Sequence, residues 1–154
     1  FGEERVETAI KRIFDYVFAK FKYPGIPQMK LTQIDNNPFF VDDIKIISIR
    51  GFHHKLPVFG FRIGGFAYMT DINKVELEEK KKLNGLKVLI VNALRKEKHI
   101  SHYNLKQALQ LIDELQPEKA YLTHISHQMG FYKEVSIELP SNVFLAFDGL
   151  KITI

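Results

Sequence analysis

The chain contains no cysteine and no tryptophan. The first absence excludes disulfides and thiolate metal sites, and it suits a reducing compartment, on which an expectation of cytoplasmic localisation rests. No apolar run approaches the roughly 20 residues of a membrane-spanning helix. The stretch FGEERVETAIKR intersperses acids and bases, unlike a signal peptide. No membrane partner is expected. Charge of one sign is also scarce, because 22 Lys and Arg stand against 18 Asp and Glu, leaving +4. The lysines are dispersed, and the one run, Lys80–Lys82, reads as a solvated face, so a nucleic-acid partner is allowed but not favoured. What the chain does have is 45% hydrophobic residues, 13 Phe among them, in 154 residues. That is enough to bury a core as one domain spanning 1–154.

Val6, Ile10, Ile13, Phe14, Val17 and Phe18 recur at helical spacing and predict an amphipathic helix from Glu3 to Phe21, stopped by Tyr23-Pro24-Gly25. Strands are expected at Lys30–Ile34 and Ile44–Ile49, then a hairpin of Val58–Ile63 and Phe66–Thr70 about Gly64-Gly65. Lys87–Val91 reads as a buried strand and Ala120–Leu122 as the next. Between them Leu105, Ala108, Leu109, Ile112 and Leu115 mark a helix capped by Ser101 or Asn104. Strand, helix, strand implies a parallel pair, with ligands beyond the carboxyl ends of the strands. Val143–Phe147, Asp148-Gly149 and Lys151–Ile154 are expected to close the chain as a hairpin.

The six histidines fall in three pairs, His53-His54, His99 with His102, and His124 with His127. Imidazole is the commonest metal ligand and a proton carrier near neutral pH, so pairs at strand ends point to a metal or catalytic site. Arg50, Arg62 and Arg95 are read first as ordinary ion-pairing residues. Tyr68, Phe59 and Phe61 are read first as core.

The motifs HHKLPVFGFRIG, FAYMTD, HISHYNLKQAL, YLTHISH and FDGLKI occur in this order. Together they resemble the metallo-β-lactamase superfamily, and within it the metal-dependent phosphodiesterases acting on phosphoribosyl 1,2-cyclic phosphate, with transfer-RNA 3′-processing nucleases as more distant cousins. The resemblance implies an α/β fold, the C-terminal half of an αββα sandwich, and two divalent ions, zinc or manganese. It implies His53 as a ligand of the first metal, Asp71 as the bridge and His124 as a ligand of the second. His102 is placed near the substrate phosphate as a proton donor or charge stabiliser. His127 matches a position that completes a structural zinc site beside three cysteines in some relatives. Such a pair of ions neutralises a phosphodiester's charge and acidifies a water.

The superfamily's His-x-His-x-Asp-His cluster is absent from these 154 residues, as are the structural cysteines. The chain therefore reads as the C-terminal portion of a longer protein, with partial or no metal occupancy by itself and little activity alone. The expected partners are a small phosphate-ester substrate and either a second copy or the missing N-terminal half. The alternative functions are a non-catalytic phosphate- or nucleic-acid-binding module, or an inactive fragment.

Overall fold

Strand alternation and three parallel crossovers set the architecture. The computed structural model describes residues 1–154. Its elements are α1 (Glu4–Ile13), α2 (Asp15–Phe18), β1 (Phe39–Val41), β2 (Ile44–His53), β3 (Leu56–Ile63), β4 (Phe66–Met69), β5 (Lys74–Val75), α3 (Leu77–Lys81), β6 (Val88–Asn92), α4 (Leu105–Leu115), β7 (Lys119–Thr123), α5 (Tyr132–Glu138) and β8 (Val143–Leu145). A 3₁₀ turn, His127–Met129, precedes α5. The strands form one sheet in the order β1-β2-β3-β4-β6-β7-β8, and β5 shares the outer edge of β2 with β1. The β1 to β4 half is antiparallel, whereas β4, β6, β7 and β8 run parallel. This is an α/β arrangement, the class expected from the sequence.

Inward residues on one face make the core. Ile49, Ala67, Met69, Leu89, Val91, Ala120 and Leu122 pack with Ala108, Leu111, Ile112 and Leu115 of α4 and Val135 of α5. At Gly60 a Cβ would meet the Met69 sulfur at 2.1 Å and the Tyr68 carbonyl oxygen at 2.8 Å, so only glycine lets β4 approach here. Asn104 is the cap of α4. Its side chain accepts from Gln107 N–H at 2.9 Å, and the Gln107 side chain accepts from Asn104 N–H at 3.1 Å, a complete capping box.

On the opposite face, register sets Phe61 beside Tyr68, Tyr68 beside Ile90, Ile90 beside Tyr121 and Tyr121 beside Phe144. Tyr68 is 44% and Phe144 41% exposed. Of the three aromatics that the sequence places in the core, Tyr68 is thus exposed and Phe59 and Phe61 are only partly buried.

Three expected elements differ. The first helix breaks at Phe14, whose φ of −112° and ψ of 44° leave the helical region. The buried residue of this segment is Val17, in the short α2, and α1 buries none, so no packed face holds a longer helix straight. Residues 30–34 form no strand: the bridge of Gln33 to Gly2 is their one sheet-like pairing. The final hairpin does not form, because β8 satisfies its backbone against β7 in parallel, Ala120 opposite Val143, and residues 151–154 have no partner strand. The expected turn at Asp148-Gly149 is present, with Leu150 N–H donating to the Phe147 carbonyl at 3.1 Å.

The arginines are spent on structure. Arg50 pairs with Glu3 at 2.7 Å and lies 3.8 Å over the Phe59 ring. Arg62 donates to the carbonyls of Gly64, Lys82 and Asn84. Arg95 donates to Gln128 and the Lys98 carbonyl.

Candidate metal centre at the strand ends

Four side chains meet where β2, β4 and β7 end. His53 is the last residue of β2, Asp71 lies two residues beyond β4, and His124 directly follows β7. His102 comes from the loop between β6 and α4. Asp71 and His124 both adopt φ of 56°, and His54 57°. The left-handed region costs a non-glycine residue roughly 1–2 kcal/mol, and such residues persist where their surroundings over-determine them. Here the surroundings are visible. The buried Asn92 side chain accepts from Ile72 N–H and donates to the Ile72 carbonyl, both at 3.0 Å, which pins the turn after Asp71. Ala93 N–H donates to the Thr123 carbonyl at 2.9 Å and Ser126 N–H to the Leu94 carbonyl at 2.8 Å, which brackets His124. Asn73 joins the other two segments, accepting from His54 N–H at 3.0 Å and donating to the Ile100 carbonyl at 2.9 Å.

The result is a carboxylate surrounded by imidazoles. One Asp71 oxygen lies 3.2 Å from His102 Nε2 and 3.4 Å from His124 Nε2. The His102 ring is edge-on to His53 at 4.6 Å and stacked on His124 at 4.8 Å. Donor atoms of His53, Asp71 and His102 all fall within 4.8 Å of one another. Asp71 and His124 remain open to solvent, whereas His102 is buried. Burial holds the His102 pKa below its ordinary value of 6.5; the Asp71 bond opposes this, and the imidazoles of His124, His53 and His99 reinforce it.

An unprotonated imidazole beside a carboxylate is the donor chemistry that a divalent cation takes. The residues present therefore fit such an ion, with His53, Asp71 and His102 within reach of one locus and His124 Nε2 reaching the same Asp71 oxygen at 3.4 Å. Sequence reasoning kept His102 apart from the ligands, and the geometry sets it at the centre of them. His54 points its backbone, not a ring contact, into the network. His127 is exposed on the 3₁₀ turn and joins no cluster of three donors. Asn73 and Asn92 escaped the sequence reading. The available signal was a polar residue closing the apolar run Val88–Val91.

Residues 1–125 match the family described as the beta-lactamase superfamily domain. The chain is similar to an octanoyltransferase of Porphyromonas gingivalis, 33% identical over the whole chain and 32% of that protein. Among solved structures it is similar to a diphosphatase from the PhnP family, at a TM-score of 0.88 and 28% identity, covering 99% of this chain and 57% of that one. Human tRNase Z, short form, shares the fold at a TM-score of 0.66 and 21% identity, with 99% and 66% covered. The chain thus spans about a third of the curated relative and a little over half of the diphosphatase.

Proposed function

Because the chain belongs to the beta-lactamase superfamily, whose fold implies divalent metal ions and hydrolysis, we propose that it carries the Asp71 side of a phosphodiesterase site acting on a cyclic phosphate ester. The observation that carries this reading is the single Asp71 oxygen reached by both His102 Nε2 and His124 Nε2. The likeness to a PhnP-family diphosphatase supports phosphoester chemistry.

In this reading His53, Asp71 and His124 hold the metal, zinc or manganese. When bound, the metal neutralises phosphate charge and acidifies water. Asp71 supplies an anionic oxygen that can serve two cations at once. His53 and His124 add donors without adding charge, so the centre stays electrophilic. His102 handles the proton: its Nε2 faces the cluster, and burial favours the neutral ring, the form that takes up the proton released as water attacks phosphorus. As the P–O bond of the ring breaks, Nε2 returns the proton to the departing alkoxide. One proton is taken and one given.

The non-catalytic binding module stays as the second reading, because the chain contains no His-x-His-x-Asp-His cluster. Ring opening of a ribose cyclic phosphate, measured with zinc or manganese supplied and again with chelator, separates the two. The expected result is metal-dependent ring opening abolished by Asp71→Ala. Saturable binding of the ester with no turnover would replace the hydrolase by the binding module.

A further inference from the structure

Beside the metal cluster runs an open cleft of about 540 Å³, lined by His53, His54, Lys55, Leu56, Ile100 and Ser101. One wall is the tip of the β2–β3 hairpin, where His53 pairs with Leu56 across the two-residue turn His54-Lys55. The other is the loop between β6 and α4. His53 belongs to both cleft and cluster, since its donor atom lies within 4.8 Å of those of Asp71 and His102. A group held in the cleft therefore sits next to the reacting centre.

Two features set the cleft apart from a chance hollow. A single side chain, Asn73, ties its walls together, accepting from His54 N–H at 3.0 Å and donating to the Ile100 carbonyl at 2.9 Å. The Asn73 N–H is itself held by the Phe52 carbonyl at 2.8 Å. The distance between hairpin tip and loop is thus set before anything binds, which removes an ordering cost from association. The second feature is the lining. Leu56 and Ile100, two large aliphatic side chains, stand 49% and 69% exposed on the two walls. The one cation is Lys55, which makes no ion pair. Strong anion recognition takes several donors in a fixed geometry, and a lone lysine on a hairpin tip supplies none of that geometry. Two aliphatic walls instead gain from being covered by an apolar body.

We propose that this cleft is the specificity subsite of the centre: Leu56 and Ile100 take the flat apolar face of a nucleobase, so the preferred ester is the cyclic phosphate of a nucleoside and not that of a bare sugar. A base is rigid, so holding it between two preset walls orders few bonds.

The inference rests on the phosphoester reading of the metal centre, and its test reads binding separately from turnover. The probes are the 2′,3′-cyclic phosphates of adenosine and of methyl riboside, which share the ring phosphate and differ in the base. Each is titrated calorimetrically into the chain with zinc supplied, and ring opening is followed in the same solutions. The adenosine ester should bind about 10-fold more tightly, the low end for an apolar group entering a pocket. Ile100→Ser should weaken the adenosine ester about 5-fold and leave the riboside Kd unchanged, and Leu56→Ser should do the same. Both side chains are exposed, so neither substitution opens the core. Lys55→Ala should keep the preference. Equal affinity for the two esters overturns the proposal, as does an Ile100→Ser variant that weakens both alike. A preference that survives Ile100→Ser and Leu56→Ser but vanishes in Lys55→Ala would make the cleft an anion subsite instead. Riboside turnover without any preference keeps the hydrolase and removes the subsite, whereas a preference without turnover keeps the subsite and removes the hydrolase. Binding of neither ester removes both.

Discussion

Asp71 is the residue on which the site turns, because its carboxylate is the one anionic group among four histidines. Removing it leaves imidazoles facing one another with nothing to bridge cations. Asp71→Ala should therefore lose bound metal and turnover together. His102→Ala should keep most of the metal and lower kcat about 10²–10⁴-fold, the usual contribution of a positioned proton carrier. Elemental analysis beside turnover distinguishes them. Equal metal loss in His102→Ala would make it a ligand, the role its distance to His53 and Asp71 also permits.

At the scale of elements, the outer edge of β2 needs explaining, because β1 covers residues 44–46 and β5 residues 51–52, leaving a gap between. Side chains from the segment after β5 fill it. Glu79, buried in α3, accepts from Arg50 N–H at 2.8 Å, from Asn36 at 2.8 Å and from Lys82 at 2.8 Å, and Lys82 also donates to the Ser48 carbonyl at 3.2 Å. Two backbone groups of the gap, the Arg50 N–H and the Ser48 carbonyl, are thus satisfied without a strand. Burial raises the Glu79 pKa, yet the bonds from Lys82, Asn36 and Arg50 outweigh it and hold the group below its ordinary 4.5. A carboxylate with a lowered folded pKa is fully stabilising above the unfolded value, and that contribution fades as pH falls below about 4.5. Glu79→Gln should lower the melting temperature at pH 7 and flatten its decline between pH 5 and pH 3. A wild-type slope retained in the variant would show that other carboxylates dominate. Glu79→Ala should cost about 3 kcal/mol in denaturant unfolding, since it leaves the Lys82 ammonium without its carboxylate and the Arg50 N–H unpaired.

Across the whole molecule the two faces of the sheet have unequal fates. One is covered by α4 and α5; the other carries the row Phe61, Tyr68, Ile90, Tyr121 and Phe144 in direct register, with α1 lying toward its β2–β3 end through the Glu3–Arg50 pair. An apolar row across five strands is more than isolated exposed residues, and soluble monomers rarely leave such a patch contiguous. These 154 residues in isolation are expected to self-associate face to face at high concentration. Sedimentation should show the monomer fraction rising when Tyr68 and Phe144 are both replaced by Glu. A compact monomer at all concentrations, unchanged by the double substitution, would count against association through this face.

Local sequence determined the elements whose information is local. The α4 cap is written in Asn104 and Gln107, the hairpin turn in Gly64-Gly65, and the parallel pair in two short apolar runs flanking a helical stripe. The candidate residues His53, Asp71, His102 and His124 were legible from motif order and from their place after strands. Tertiary structure alone decided the rest. The first helix breaks because no surface packs against it, and the last strand is parallel because β7 was already in place to accept it. The sequence also could not show that His102 sits between His53 and His124, nor that His99 stands behind it, since both depend on left-handed turns held by Asn73 and Asn92 from distant segments. Such positions arise from hydrogen bonds between residues 20 or more apart, which no window of neighbouring residues contains.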